Sequence, residues 1–180
     1  MPIRPRDPLL TAARIVIGFC ILLAAIVIAA SLIAFPAALL HQDQVLAELV
    51  IRGVHTDASF FGALGIVLVC LACFAALVIW FLILLRRIVD TVGDGDPFVP
   101  TNADRLSRMG WIVVGTQVLS IPAKAMLLYF AELFKEVEGV HIDHEVGISG
   151  GAIVLILVLF ILARVFRHGT EMREDLEGTV

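Results

Sequence analysis

The sequence predicts an all-α protein, an integral membrane four-helix bundle with both termini cytoplasmic. Two observations predict the membrane class. Hydrophobic residues make up 60% of the 180 residues, and the mean hydropathy is +1.00, whereas soluble domains are roughly half apolar. The third observation, the uneven distribution of Lys and Arg along the chain, predicts the orientation.

Four apolar segments are each long enough to cross the hydrocarbon core, which takes about 20 helical residues. They cover residues 15–40, 60–85, 110–131 and 146–166. Because each segment must satisfy its own backbone in lipid, we expect helices. Together they predict a single four-span domain over residues 1–180. Small residues four apart, such as Gly147 and Gly151, favour close helix packing within the bundle or in a homo-oligomer.

Positive residues concentrate on one side of the predicted membrane. Ten arginines lie at the termini or between spans two and three, namely Arg4, Arg6, Arg14, Arg86, Arg87, Arg105, Arg108, Arg164, Arg167 and Arg173. The opposite side carries Arg52 and Lys135. Cytoplasmic loops carry the excess of Lys and Arg. We therefore expect both termini and the middle connection in the cytoplasm, beside a bacterial inner membrane.

The two cytoplasmic segments have local order of their own. Residues 86–109 predict a loop with a turn, "GDGDPF", followed by a short capped helix. In "TNAD", Thr101 is the expected N-cap and Asp104 completes a capping box. Residues 167–180 predict a tail that continues span four as a helix, with Arg167 and Glu171 at ion-pair spacing.

Two cytoplasmic patches resemble DUF2975, a family of bacterial four-span membrane proteins of unknown function. In the first patch the matching residues are Gly95, Pro97, Phe98, Asn102, Arg105, Leu106 and Gly110. In the second they are Phe166, Gly169, Glu174, Asp175, Thr179 and Val180. Members of the family are similar in being encoded beside small helix-turn-helix regulators. The resemblance therefore implies a four-span fold and a regulatory pairing.

From this pairing we expect a non-enzymatic multi-pass membrane protein that relays to, or restrains, a small cytoplasmic helix-turn-helix regulator. The expected docking residues are Arg105, Arg108, Arg167, Glu171, Arg173 and Asp175. A solvated helix end is the competing interpretation of these mixed charges. The sequence has no G-x-S-x-G, H-E-x-x-H or Walker A motif. We therefore expect no enzyme activity, no cofactor and no direct nucleic-acid contact.

Lys124 lies inside span three, where a charge is costly and predicts a functional site by default. Gln117, Ser120 and Lys124 share a helix face, and Pro122 removes a backbone donor nearby. These three polar residues predict a ligand or sensing site, or the anion path of a small transport or export component. In the competing interpretation, Lys124 only extends its ammonium towards the outer acidic face.

A third alternative is an outer-face metal-binding protein. His141, Asp143 and His144 lie within four residues of one another in the second outer connection. Imidazole and carboxylate groups suit Zn²⁺ or Cu²⁺. Ordinary loop histidines are the competing interpretation, because this short pattern places no ligand pair at i, i+4 on a predicted helix.

Overall fold

The computed structural model describes residues 8–54, 56, 59–135 and 149–177. Within these residues the protein contains five helices and no strand. They are α1 (Pro8–Leu40), α2 (Gln42–Ile51), α3 (Ser59–Gly93), α4 (Pro100–Leu133) and α5 (Gly150–Glu177). In this part of the chain, α1, α3, α4 and α5 are long and apolar enough to cross a membrane. The all-α class and the four apolar helices are thus confirmed.

The connection between α3 and α4 is much shorter than the predicted loop of residues 86–109. Helix α3 continues to Gly93 and α4 already begins at Pro100, so only residues 94–99 are non-helical. The predicted short helix is the first part of α4 and is continuous with span three. Polar and charged residues extend both helices beyond their apolar segments, because most charged side chains are good helix formers.

The predicted capping box is wrong. Thr101 lies inside α4, because the helix begins one residue earlier at Pro100. Proline suits the first helical position, where a backbone N–H would have no intrahelical partner. At the other end of the chain, α5 continues to Glu177, so the described part of the tail is helical as expected.

The described residues form two compact units. The first unit comprises residues 8–24, 77–115 and 149–177. Its core combines Leu84 of α3, Leu106, Met109, Ile112 and Val113 of α4, and Leu159 and Ala163 of α5. Trp111 packs edge-to-face on Phe160 beside this core, with ring centroids 5.7 Å apart. Apolar contact therefore joins α3, α4 and α5 in this unit.

The second unit comprises residues 25–54, 56, 59–76 and 116–135. The start of α3 meets the end of α4 there, so the two helices run antiparallel. Phe60 packs edge-to-face on Phe130 at 5.6 Å between ring centroids. One residue earlier on each helix, the hydroxyl groups of Ser59 and Tyr129 lie 3.2 Å apart. The connection between α1 and α3 also contains α2, which the hydropathy pattern did not predict.

Large apolar side chains cover much of the helix surface. Ile33 is 69% exposed, Ile121 67% and Ile161 59%. Soluble monomers rarely expose contiguous apolar surface of this extent. A lipid bilayer is a solvent in which such side chains are stable without protein neighbours. Composition and exposure together indicate a membrane location with direct lipid contact.

Candidate functional site

Helix α3 ends in a turn that requires a glycine, and the connection to α4 begins at this turn. Gly95 has φ +84°, and its N–H donates to the carbonyl of Val92 at 3.1 Å. The N–H of Asp96 donates to the carbonyl of Thr91 at 3.1 Å. These two bonds form a Schellman motif. A side chain at Gly95 would be strained at this φ, so glycine determines the direction in which residues 94–99 leave the helix.

Asn102 joins this connection to both flanking helices. Its side chain is fully buried, and its amide nitrogen donates to Thr91 Oγ1 at 2.7 Å and to the Pro97 carbonyl at 2.9 Å. Its amide oxygen accepts a bond from Arg105 at 2.8 Å. Arg105 also donates to the carbonyl of Arg87 at 3.2 Å. Every polar atom of the buried amide is therefore used to hold the loop.

The loop also docks on the end of α5. The ring of Phe98 packs on that of Phe166, with centroids 5.3 Å apart. It lies so close to Gly169 that a Cβ there would be 2.9 Å from the ring. The hydroxyl of the buried Thr170 lies 3.3 Å from the Phe98 carbonyl and 2.9 Å from the Phe166 carbonyl. Gly169 thus gives Phe98 the space to reach α5.

Three arginine–aspartate pairs connect helix ends within the first unit, including that of α1. They join Arg14 to Asp90 at 2.7 Å, Arg167 to Asp104 at 3.5 Å, and Arg173 to Asp96. All six side chains are at least two-fifths exposed, so each pair contributes about 0–1 kcal/mol. The pairs set how the helix ends are arranged more than they stabilise the fold.

These contacts separate the six expected docking residues into two groups. Arg105 and Arg173 hold the loop, through Asn102 and Asp96 respectively. Arg108 and Asp175 are exposed, as are Arg167 and Glu171. We call the contacts that hold the loop the loop anchor. They are made by Thr91, Phe98, Asn102, Arg105, Thr170 and Arg173. The resemblance residues Phe98, Asn102, Arg105 and Gly169 all belong to or adjoin the loop anchor.

The expected ion pair between Arg167 and Glu171 is not the one that the structure contains. Arg167 pairs with Asp104 of α4, and the Glu171 carboxylate lies 3.4 Å from Nδ1 of His168. The Asp104 carboxylate is within reach because the beginning of α4 lies beside α5. Sequence spacing alone identifies contacts within a helix but not contacts between helices.

Beside the loop anchor, the surface of α5 carries a groove of about 760 Å³. We call it the basic groove; its lining residues are Ser107, Phe160, Ile161, Ala163, Arg164, Val165, Arg167, His168 and Glu171. Arg164 is exposed and has no ion-pair partner among the described residues. The six docking residues expected from the sequence do not include Arg164 or His168. Arg164 lies one turn before Arg167 on α5, and His168 lies one turn before Glu171. This helical spacing is the signal that could have identified them.

The second unit contains a different cavity, between α3 and α4, of about 400 Å³. We call it the Lys124 cavity, because Lys124 and Ser120 line it together with apolar residues of both helices. Gln117 does not belong to this lining; its carbonyl accepts a bond from the Ser120 hydroxyl at 2.7 Å. Helix α4 remains continuous through Pro122. The structure thus groups two of the three predicted polar residues, and transport stays a prediction.

The predicted metal ligands His141, Asp143 and His144 lie outside the described residues. Among residues 8–54, 56, 59–135 and 149–177, no group of three His, Cys, Asp or Glu side chains could hold a metal ion. Gly147, the first glycine of the predicted packing motif, is also outside the described part of the chain. Metal binding and a homo-oligomer both stay predictions.

Comparison with known proteins gives one match. The model of a family described as protein of unknown function (DUF2975) matches residues 44–180. Neither a curated protein nor a solved structure matches the chain. The matched range contains α3, α4 and α5, with the whole loop anchor and the basic groove. This protein with four long apolar helices therefore belongs to the DUF2975 family.

Proposed function

We propose that the protein is a non-enzymatic multi-pass membrane protein that holds a small cytoplasmic regulator at its basic groove, restraining it or relaying a signal to it. The helix-turn-helix class of the regulator rests on the family resemblance. The orientation, with both termini in the cytoplasm beside a bacterial inner membrane, rests on the distribution of Lys and Arg.

The observation that carries the proposal is the position of the basic groove on an anchored surface. Phe98, Thr170 and Arg173 tie the end of α5 to the loop before α4. Because these contacts order the helix end before any partner arrives, binding costs less conformational entropy than it would on a free helix. A mere solvated tail would not need such contacts.

The chemistry of the groove indicates the kind of surface that would bind it. Phe160, Ile161 and Val165 supply apolar contact, while Arg164 supplies a positive charge without an ion-pair partner in the described part of the chain. A helix with apolar and acidic residues on one face complements both features. The proposed partner therefore presents an acidic amphipathic helix.

Point substitutions test the proposal more sharply than truncation. Ending the chain at Gly169 would remove Thr170 and Arg173, and with them two contacts of the loop anchor. Arg164→Glu instead reverses one exposed charge in the groove. Arg86→Glu is the matched control, because Arg86 is also exposed and does not line the groove.

The measurement is co-purification from native membranes in a gentle detergent, followed by mass spectrometry. A small DNA-binding protein should accompany the wild type and Arg86→Glu, and its recovery should fall about tenfold with Arg164→Glu, as a lost charge contact of about 1.4 kcal/mol implies. Equal recovery with both variants, at equal membrane insertion, would exclude the groove as the docking surface. Absence of such a protein from all three samples would refute the regulatory function.

A further inference from the structure

We infer that the Lys124 cavity binds one anionic phospholipid of the surrounding bilayer, with an acyl chain along the cavity and the phosphate at Lys124. This inference does not rest on the proposed function, since the cavity belongs to the second unit and the basic groove to the first. A negative result for the lipid site would therefore not contradict the proposed function, and a negative result for the proposed function would not contradict the lipid site.

The walls of the cavity suit an acyl chain. Val67 and Phe74 of α3 face Leu119, Leu127 and Phe130 of α4 across it. Along α4, Leu119 and Phe130 are about 16 Å apart at a rise of 1.5 Å per residue. Half of a hydrocarbon core of about 30 Å is roughly 15 Å, which is the reach of one acyl chain. The cavity is therefore about as long as one leaflet is deep.

Lys124 selects the charge of the head group. Among the described residues that line the cavity, it carries the only charge. Its four-carbon stem allows the ammonium to extend from the apolar segment towards the end of α4. The hydroxyls of Tyr129 and Ser59 lie at that end, and tyrosine is typical of the membrane–water interface. A phosphate at head-group level would thus meet a cation beside its own acyl chain.

A zwitterionic lipid offers the same chain but no net charge. The preference for an anionic head group should therefore depend on Lys124, while the affinity common to both lipids depends on the apolar walls. A single basic residue near the membrane surface corresponds to about a fivefold preference for anionic lipid. Ala123 also lines the cavity, so a larger side chain there would obstruct the acyl chain.

The test uses the full chain in maltoside micelles. It is titrated with phosphatidylglycerol or phosphatidylcholine of identical acyl chains, and native mass spectrometry counts the bound lipid. Wild-type protein should bind the first phosphatidylglycerol about fivefold more tightly. Lys124→Gln should abolish this preference and Lys124→Arg should keep it. Lys135→Gln, which removes a cation outside the cavity lining, should also keep it.

A cavity-filling variant and a titration with a fatty acid complete the test. Ala123→Leu should weaken both phospholipids by a similar factor, because it fills the space of the chain and leaves the charge. Oleate, an anion with a single chain, tests a free fatty acid as the occupant. An unchanged preference in Lys124→Gln would overturn the inference. Oleate binding without any preference for phosphatidylglycerol would also overturn it, by assigning the cavity to a free acid.

Discussion

Replacing Asn102 by alanine is the perturbation that tests the loop anchor most directly. The side chain is fully buried and makes three hydrogen bonds, as a donor to Thr91 and Pro97 and as an acceptor from Arg105. Alanine cannot replace any of them. The carbonyl of Pro97 and the guanidinium of Arg105 would each lose a partner in the folded protein.

The expected cost follows from the character of each bond. A neutral hydrogen bond contributes about 1 kcal/mol net, and one to a charged group about 1.5–3 kcal/mol. The bond from Arg105 is of the second kind, but water can partly replace Asn102 because Arg105 is only half-buried. We therefore expect Asn102→Ala to lower the free energy of unfolding by about 3 kcal/mol, among the larger effects of single substitutions.

The assay is reversible unfolding by SDS in mixed micelles, followed by tryptophan fluorescence. Trp111 packs on Phe160 beside the core of the first unit, so its emission reports on that unit. Thr101→Ala is the matched control, because Thr101 is the exposed neighbour on the same helix. The control should stay within about 0.5 kcal/mol of the wild type.

Hydrogen exchange provides a second readout of the same variant. Loss of Asn102 should speed amide exchange at residues 94–99, which the side chain ties to α3 and α4. If Asn102→Ala shifts unfolding no more than Thr101→Ala does, and exchange in the loop is unchanged, the buried amide does not hold the loop and the anchor is refuted.

Two further predictions concern glycines and use the same SDS titration. Gly95→Ala should lower the free energy of unfolding by about 1 kcal/mol, because Gly95 has φ +84°. Gly18→Ala, at a helical site of the same unit with open space around a Cβ, should cause no loss; equal losses would contradict the strain argument. Gly169→Ala should cost about 1–3 kcal/mol by displacing the Phe98 ring. Combined with Phe98→Ala, the two losses should be less than additive; full additivity would mean that Phe98 does not occupy this space.

The ends of the four long apolar helices were less predictable than their number. The apolar segment of span two stops near residue 85, but α3 continues to Gly93. Hydropathy locates what lies in the hydrocarbon core, and it carries no information on how far a helix projects beyond it. Helix α2 has only 10 residues and contains Asp43 and Glu48, so it is too short and too polar to give the hydropathy signal of a span.

The candidate site was predictable in part. The patches that resemble the family contain Phe98, Asn102 and Gly169, and the structure joins these patches at one end of α5. What each residue does could not be foreseen. Arg105 and Arg173 were expected to bind a partner, yet their contacts with Asn102 and Asp96 hold the loop. Arg173 and Asp96 are 77 residues apart in the chain, so no local pattern links them.

The membrane class, the four apolar helices and the family follow from the amino-acid sequence alone, because segment length, hydropathy and local motifs are properties of consecutive residues. Three arrangements are visible only in the folded protein: Gly169 makes room for Phe98, the buried Asn102 binds the loop, and Lys124 lies beside an apolar cavity. Those arrangements depend on how side chains from different helices pack, and packing is a property of the folded chain as a whole.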